Sequence, residues 1–232
     1  HKTNIMIKYN PKNWFGLIFE FHKSDTLRKL IGILIVYAIF SFVIVYVEIH
    51  YTKFESTISI HSLMGFIIGL LLVFRTNTAY DRWWEGRKLI GALVNTSRNL
   101  ALKINALIDE NDLTNRKFYS SMIANYCYSM KEHLRDNRKI EELESINGFK
   151  IQNLNQINHL PNYIAKEIFK KNKSLYDSKI ISGNILITVD DQTKLFTDII
   201  GGCERIKKTP IPYSYNIFIK KFIFIYTITL PI

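Results

Sequence analysis

The chain has 232 residues, 47% of them hydrophobic and 13% aromatic, with a formal net charge of +11. That content excludes an intrinsically disordered chain and allows one large domain or two small ones. The charge permits nucleic acid or anionic lipid as partner without choosing between them, and the frequent Asn, Ile and Lys, as in "KKNKS" (170–174), give it a purely compositional source as well.

Leu30 to Val47, "LIGILIVYAIFSFVIVYV", and Thr57 to Phe74, "TISIHSLMGFIIGLLLVF", are each 18 residues without Asp, Glu, Lys or Arg. A bilayer core of about 30 Å takes roughly 20 apolar residues, so both read as membrane spans with help from their flanks. The first run is too long for a signal-peptide core and has no small-residue cleavage site after it; a buried soluble helix pair is the competing reading. His22, Lys23, Arg28 and Lys29 precede the first run, and Arg75, Arg82, Arg87 and Lys88 follow the second. In the short stretch between them (48–56), Glu48 and Glu55 outnumber Lys53. The excess of basic residues on one side predicts a cytoplasmic N-terminus, residues 48–56 outside, and everything after Phe74 in the cytoplasm.

Beyond the spans, residues 85–213 read as a cytosolic helical region. Apolar residues recur at helical spacing over 88–108 and 115–134. Residues 135–161 read as loop with at most one short helix. Pro161 is placed to open a helix to about Tyr176, and 189–208 reads as another, with Asp190 and Asp191 near its start, where the helix dipole favours acids. "TPIPYSY" (209–215) breaks that helix, and "NIFIKKFIFIYTITLPI" (216–232) starts a third membrane segment. Both ends look cut, so the sequence reads as part of a longer protein divided into 1–29, 30–84, 85–213 and 214–232. Cys127 and Cys203 form neither a metal spacing nor a disulfide framework.

Phe66, Leu70 and Phe74 recur every four positions and so share one slowly drifting stripe, with Gly65 and Gly69 on an adjacent face suited to close helix packing. The stripe faces either lipid or, if several copies surround an axis, a pore, where it would form a hydrophobic constriction. After Phe74 comes a collar of Arg75, Asn77, Asp81, Arg82, Trp83, Trp84 and Glu85. It reads as an interfacial belt in which Asp81 and Glu85 pair with Arg82, Arg87 or Lys88 along the helix. The polar density of "RTNTAYDR" also suits a fixed junction between helices or subunits.

Nothing in the sequence supports catalysis. His22, His50, His61, His133 and His159 are scattered, and no nucleophile elbow, phosphate-cradling loop or dinucleotide fingerprint is present. Glu204, between Cys203 and Arg205, reads as half of a packed ion pair. No cofactor, metal or nucleic-acid site is expected.

"GLLLVFRTNTAYDRWWEGRKLIGALV" (69–94) resembles the signature of the bestrophin family of ion channels, in its bacterial branch. "GGCERIKKTPIPYSYNIFIKKFIFIYTITLP" (201–231) resembles the family's passage into its third membrane helix, and "NWFGLIFEFHKSDTLRKL" (13–30) its pre-membrane segment. The resemblance implies an all-α, multi-pass subunit with long cytosolic helices in a homopentameric channel of the bacterial plasma membrane, in contact with membrane lipids. It places a pore neck on Phe66, Leu70 and Phe74 and a cytosolic constriction at Ile211. It carries over no calcium site, because the family's acidic clasp lies beyond the last residue here. Chloride or another small anion is the expected permeant; a monovalent-cation channel and a non-conducting membrane scaffold or sensor are the alternatives.

Overall fold

A computed structural model of the chain describes residues 25–51, 58–137, 139–146, 149, 154 and 157–231. The readings of residues 13–24 and of most of the loop between the first two spans lie outside them. Among them six helices follow in order: α1 (Asp25–His50), α2 (Ile58–Leu107), α3 (Leu113–Leu134), α4 (Leu160–Asp177), α5 (Gly183–Lys208) and α6 (Tyr213–Thr229). Among the described residues the β pairing is one isolated bridge, Ile146 with Phe149.

The second apolar run and the helix read over 88–108 are one uninterrupted 50-residue helix, α2. The collar therefore breaks no backbone hydrogen bonding; it changes only which side chains the helix displays. The chain divides into two compact units, one holding the described residues up to Leu70 with those from Ile217 onward, the other running from Leu71 to Asn216.

In the first unit, Lys29–His50 within α1 and an apolar stretch within Ser59–Leu107 of α2 are long and apolar enough to cross a membrane, and none of either stretch is buried. Ile33, Val36, Phe42 and Ile49 of α1 lie well exposed in the single chain. Soluble proteins rarely leave so much contiguous apolar surface uncovered, which suits lipid or neighbouring chains. α2 meets α6 through its small and polar positions. A Cβ on Gly65 would come within 3.3 Å of the Tyr226 hydroxyl, and the His61 Nε2 lies 2.9 Å from the Thr229 carbonyl, to which it donates. His61 thus ties two helices together.

The second unit is a helical bundle. Leu93, Leu100, Ile104 and Ile108 lie along one side of the α2–α3 run and join Met122, Tyr126 and Met130 of α3, Ile164 and Ile168 of α4, and Val189, Phe196 and Ile200 of α5 in one core. Asp112 caps α3, its carboxylate accepting the Asn115 backbone N–H at 3.0 Å. His159 caps α4, its Nδ1 accepting the Asn162 N–H at 3.2 Å, and Pro161 occupies the first turn as read from the sequence. Both α3 and α4 end in the same motif. Asp136 and Lys179 adopt φ of 56°, and the next amides, of Asn137 and Ile180, reach back to the Glu132 and Leu175 carbonyls at 2.9 Å.

Two expectations about α5 need correction. It starts at Gly183 rather than near 189, so Asp190 and Asp191 lie two turns in and do not serve the helix dipole. Asp190 instead accepts a hydrogen bond from the buried Asn172 side chain at 2.8 Å. The β-branched residues of "ILITV" argue weakly for helix by themselves; the burial of Val189 and Thr193 against the core decides the matter.

Two predictions arise here. The hydrogen bonds from Asn115 hold the Asp112 carboxyl below the usual range. A depressed pKa contributes stability that is present above the unfolded value and lost as pH falls through the folded one. Acid unfolding of the helical bundle should therefore include a contribution that Asp112→Asn, which keeps the cap, removes; parallel acid profiles for the two proteins would contradict it. The second concerns Gly201 and Gly202. A Cβ on Gly202 would sit 2.9 Å from a Leu89 methyl, whereas one on Gly201 meets nothing within 4 Å. Gly201→Ala should stabilise by up to about 1 kcal/mol through helix propensity, and Gly202→Ala should lose that gain to overpacking. Paired thermal melts read the difference.

Candidate functional site

Phe66, Leu70 and Phe74 share one side of α2 and are 70%, 46% and 53% exposed in the single chain. Each four-residue step advances about 400°, a drift of about 40°, so the three form a slowly drifting stripe. Gly65, which meets Tyr226, lies about 100° away from Phe66. The helix thus packs on one side through its small residues and shows its large apolar ones on another. Gly69, the other half of the small-residue pair, faces open space.

The collar is organised differently from the sequence expectation. Arg82 does not pair along its own helix. Its guanidinium donates to the Ile206 carbonyl at 2.6 Å and to the Thr209 carbonyl, satisfying acceptors that the C-terminus of α5 leaves without intrahelical partners. Placing a cation there also suits the helix dipole. Glu85 pairs with Arg205 of α5, so the partner of Arg205 is not Glu204. Two charged collar residues therefore reach the end of α5, Arg82 through hydrogen bonds to backbone carbonyls and Glu85 through an ion pair. Thr76 and Thr78 turn their hydroxyls back onto the Leu72 and Phe74 carbonyls at 2.9 Å. Asn77, Asp81, Trp83 and Trp84 stay exposed, and Arg75 is partly buried. Tyr80, Trp83 and Trp84 form a run of tilted rings with centroids 5.8 and 6.1 Å apart.

Ile211 lies partly buried in the turn between α5 and α6, its carbonyl accepting from the Asn216 side chain at 3.3 Å. Cys127 and Cys203 are free thiols. Burial pushes both up from the ordinary thiol range, and for Cys203 the nearby Glu204 and Glu85 add to it. A raised thiol is a poor nucleophile at neutral pH.

One constellation escaped the sequence. His133 at the end of α3, the α4 cap His159 and Glu204 of α5 converge, both imidazole Nε2 atoms meeting the same Glu204 Oε1, at 2.6 and 2.9 Å. The two rings lie 4.3 Å apart, centroid to centroid. Partial burial works against ionisation of Glu204, but the hydrogen bonds from His133 and His159 outweigh it and hold the carboxyl below its usual range. No local motif could have announced a contact made across 45 and 71 residues of sequence.

Comparison with known proteins bears on what these features do. The family model described as "Bacterial/Fungal Bestrophin protein" matches residues 6–232. A voltage-dependent anion channel-forming protein of Nostoc sp. is 32% identical over 95% of this chain and 73% of its own length. One of Synechocystis sp. is 32% identical over 96% of this chain and 73% of its own, and YneE of Escherichia coli K12, also a voltage-dependent anion channel-forming protein, is 27% identical over 97% and 74%. The crystal structure of a bacterial bestrophin homolog from Klebsiella pneumoniae superposes with a TM-score of 0.78 at 21% identity, covering 87% of this chain and 76% of that one; at that identity the likeness shows the fold alone.

Proposed function

Since this chain belongs to the bacterial and fungal bestrophin family and is, with two helices long and apolar enough to cross a bilayer, a membrane protein, we propose that it is the pore-forming subunit of an anion channel. The observation that carries this reading is the 32% identity, over nearly the whole chain, to proteins named for anion-channel formation. Five copies surround one axis, with the N-terminus and the helical bundle in the cytoplasm.

In that assembly the α2 stripe of Phe66, Leu70 and Phe74 lines the neck. Such a neck carries no fixed charge and controls ions by the cost of wetting a narrow apolar passage. Ile211 forms a second, cytosolic narrowing. The collar serves two neighbours: Trp83 and Trp84 suit the headgroup layer, and Arg82 and Glu85 hold the base of the pore helix to α5. Chloride or another small anion is the permeating ion, concentrated by the basic cytosolic region. The reaction classes that need a nucleophile or a bound cofactor find no support in this family assignment.

The test is the reversal potential of the full-length protein in a planar bilayer under a KCl gradient. Reversal near the chloride equilibrium potential supports the reading. Reversal near the potassium potential overturns anion selection, and absence of any current overturns the channel itself in favour of a membrane scaffold.

A further inference from the structure

We propose that His133, His159 and Glu204 form a binding site for a divalent transition-metal ion, zinc by its donor set, that staples α3, α4 and α5 together. Two imidazole nitrogens and one carboxylate oxygen, each from a different helix, lie within 4.8 Å of one another. Three ligands of a tetrahedral zinc ion, at about 2.0–2.2 Å from the metal, stand about 3.3 Å apart. Side-chain shifts of less than about 1 Å would convert the present contacts of 2.6 and 2.9 Å into that spacing. The donor set is two His and one Glu, which suits zinc or cobalt and not the all-oxygen shells of calcium or magnesium.

The surroundings leave room for a fourth ligand. A cavity of about 250 Å³ opens beside His133, lined also by Ser129, Glu132, Asp136 and Asn158. Glu132, only 5% exposed, contributes to that lining and has a buried Oε2 with no hydrogen-bond partner. Water on the ion, held in that cavity, completes four-coordination.

The imidazoles must change tautomer. Both now donate an Nε2 proton to Glu204, and the His159 Nδ1 accepts the Asn162 N–H. Ligation through Nε2 moves each proton to Nδ1, with no net proton gained or lost by a neutral ring. For His159 this replaces the α4 cap with a metal bond. The ion therefore competes with three hydrogen bonds, the two Nε2 contacts to Glu204 and the 3.2 Å cap, and gains three ligands for them, a favourable exchange for a metal with zinc's affinity for imidazole.

The experiment uses the full-length protein in detergent, stripped with a chelator and titrated with zinc against a chromophoric competitor, then with cobalt. We expect one zinc per chain and, with cobalt, the strong visible absorption of a four-coordinate centre. Glu204→Gln, which keeps the side-chain shape, and His133→Ala should each weaken zinc binding by more than about a hundredfold, since even outer-shell losses cost roughly 10–100-fold. Calcium and magnesium should not compete. Absence of stoichiometric zinc binding overturns the site, as does binding unchanged in both variants, which would put the ion on other histidines. The cobalt spectrum of the unaltered chain reads the ligand set even if a variant fails to fold, and weak six-coordinate absorption overturns the assignment. None of these readouts depends on ion flux, so they stand apart from the test of channel function.

Discussion

Replacing Phe66, Leu70 and Phe74 by alanine is expected to raise single-channel current severalfold, Phe74→Ala alone giving a smaller rise in the same direction. The three side chains lie on one side of α2 and are exposed in the single chain. If they meet at an axis, each substitution enters once per subunit, so removing a phenyl ring widens the passage from every side at once. The cost of wetting an apolar constriction falls steeply as it widens, which makes the neck the position where small side-chain changes have the largest effect on current. Leu72 supplies the control. It is 60% exposed but lies about 200° around the helix from Leu70, so Leu72→Ala should leave the current as it is. Unchanged current in the stripe variants together with altered current in Leu72→Ala would place the pore on the other face of α2. Unchanged current in all of them would assign the exposed apolar side chains to lipid.

The largest effect on stability is expected at Asn172. This side chain is fully buried among α3, α4 and α5. Its oxygen accepts from the Tyr119 hydroxyl at 2.6 Å, and its amide donates to Asp190 at 2.8 Å and to Thr193 at 3.1 Å. Leucine shares the branched skeleton of asparagine, so Asn172→Leu creates no cavity; its bulkier methyl groups add some overpacking to the loss of the polar contacts. It strands the Tyr119 hydroxyl, itself 1% exposed, and leaves Asp190 without its amide donor. A buried polar group left unpaired costs about 1–3 kcal/mol, more when it is charged, so a loss of at least about 3 kcal/mol is expected. Burial has already pushed the Tyr119 phenol above its ordinary range, with Asp190 adding to it, so the hydroxyl cannot relieve the loss by ionising. Adding Tyr119→Phe should recover part of the stability by removing one stranded partner. Thermal unfolding of the detergent-solubilised chain checks both steps. An unchanged melting temperature in the single variant would show that the network contributes nothing, and a double variant less stable than the single would show that the hydroxyl has another partner.

Much of the architecture is legible in local pattern. The two uncharged apolar runs declare α1 and the first part of α2, because a bilayer-length apolar stretch has few other uses. Pro161 marks the start of α4, and the two prolines of "TPIPYSY" mark the break between α5 and α6, because proline restricts its own φ and removes a donor. The start of α5 is not legible, because "ILITV" is a poor helix former whose conformation is set by burial of Val189 and Thr193 against other helices. The collar is half legible. Its composition announces an interfacial belt, but the partners of Arg82 and Glu85 lie on α5, and charge spacing along one helix points to the wrong ones.

By itself, then, the sequence determined what depends on neighbours a few residues away: helix type, apolar length, the polar break after Phe74 and the family signature that spans it. Only the tertiary structure decided that Arg82 closes the end of α5, that Asp190 serves Asn172, and that His133, His159 and Glu204 share one point in space. The reason is physical. Helical periodicity specifies which residues share a face, but which face meets which is settled by the packing of whole helices, and contacts 45 and 71 residues apart come into being only when that packing is complete.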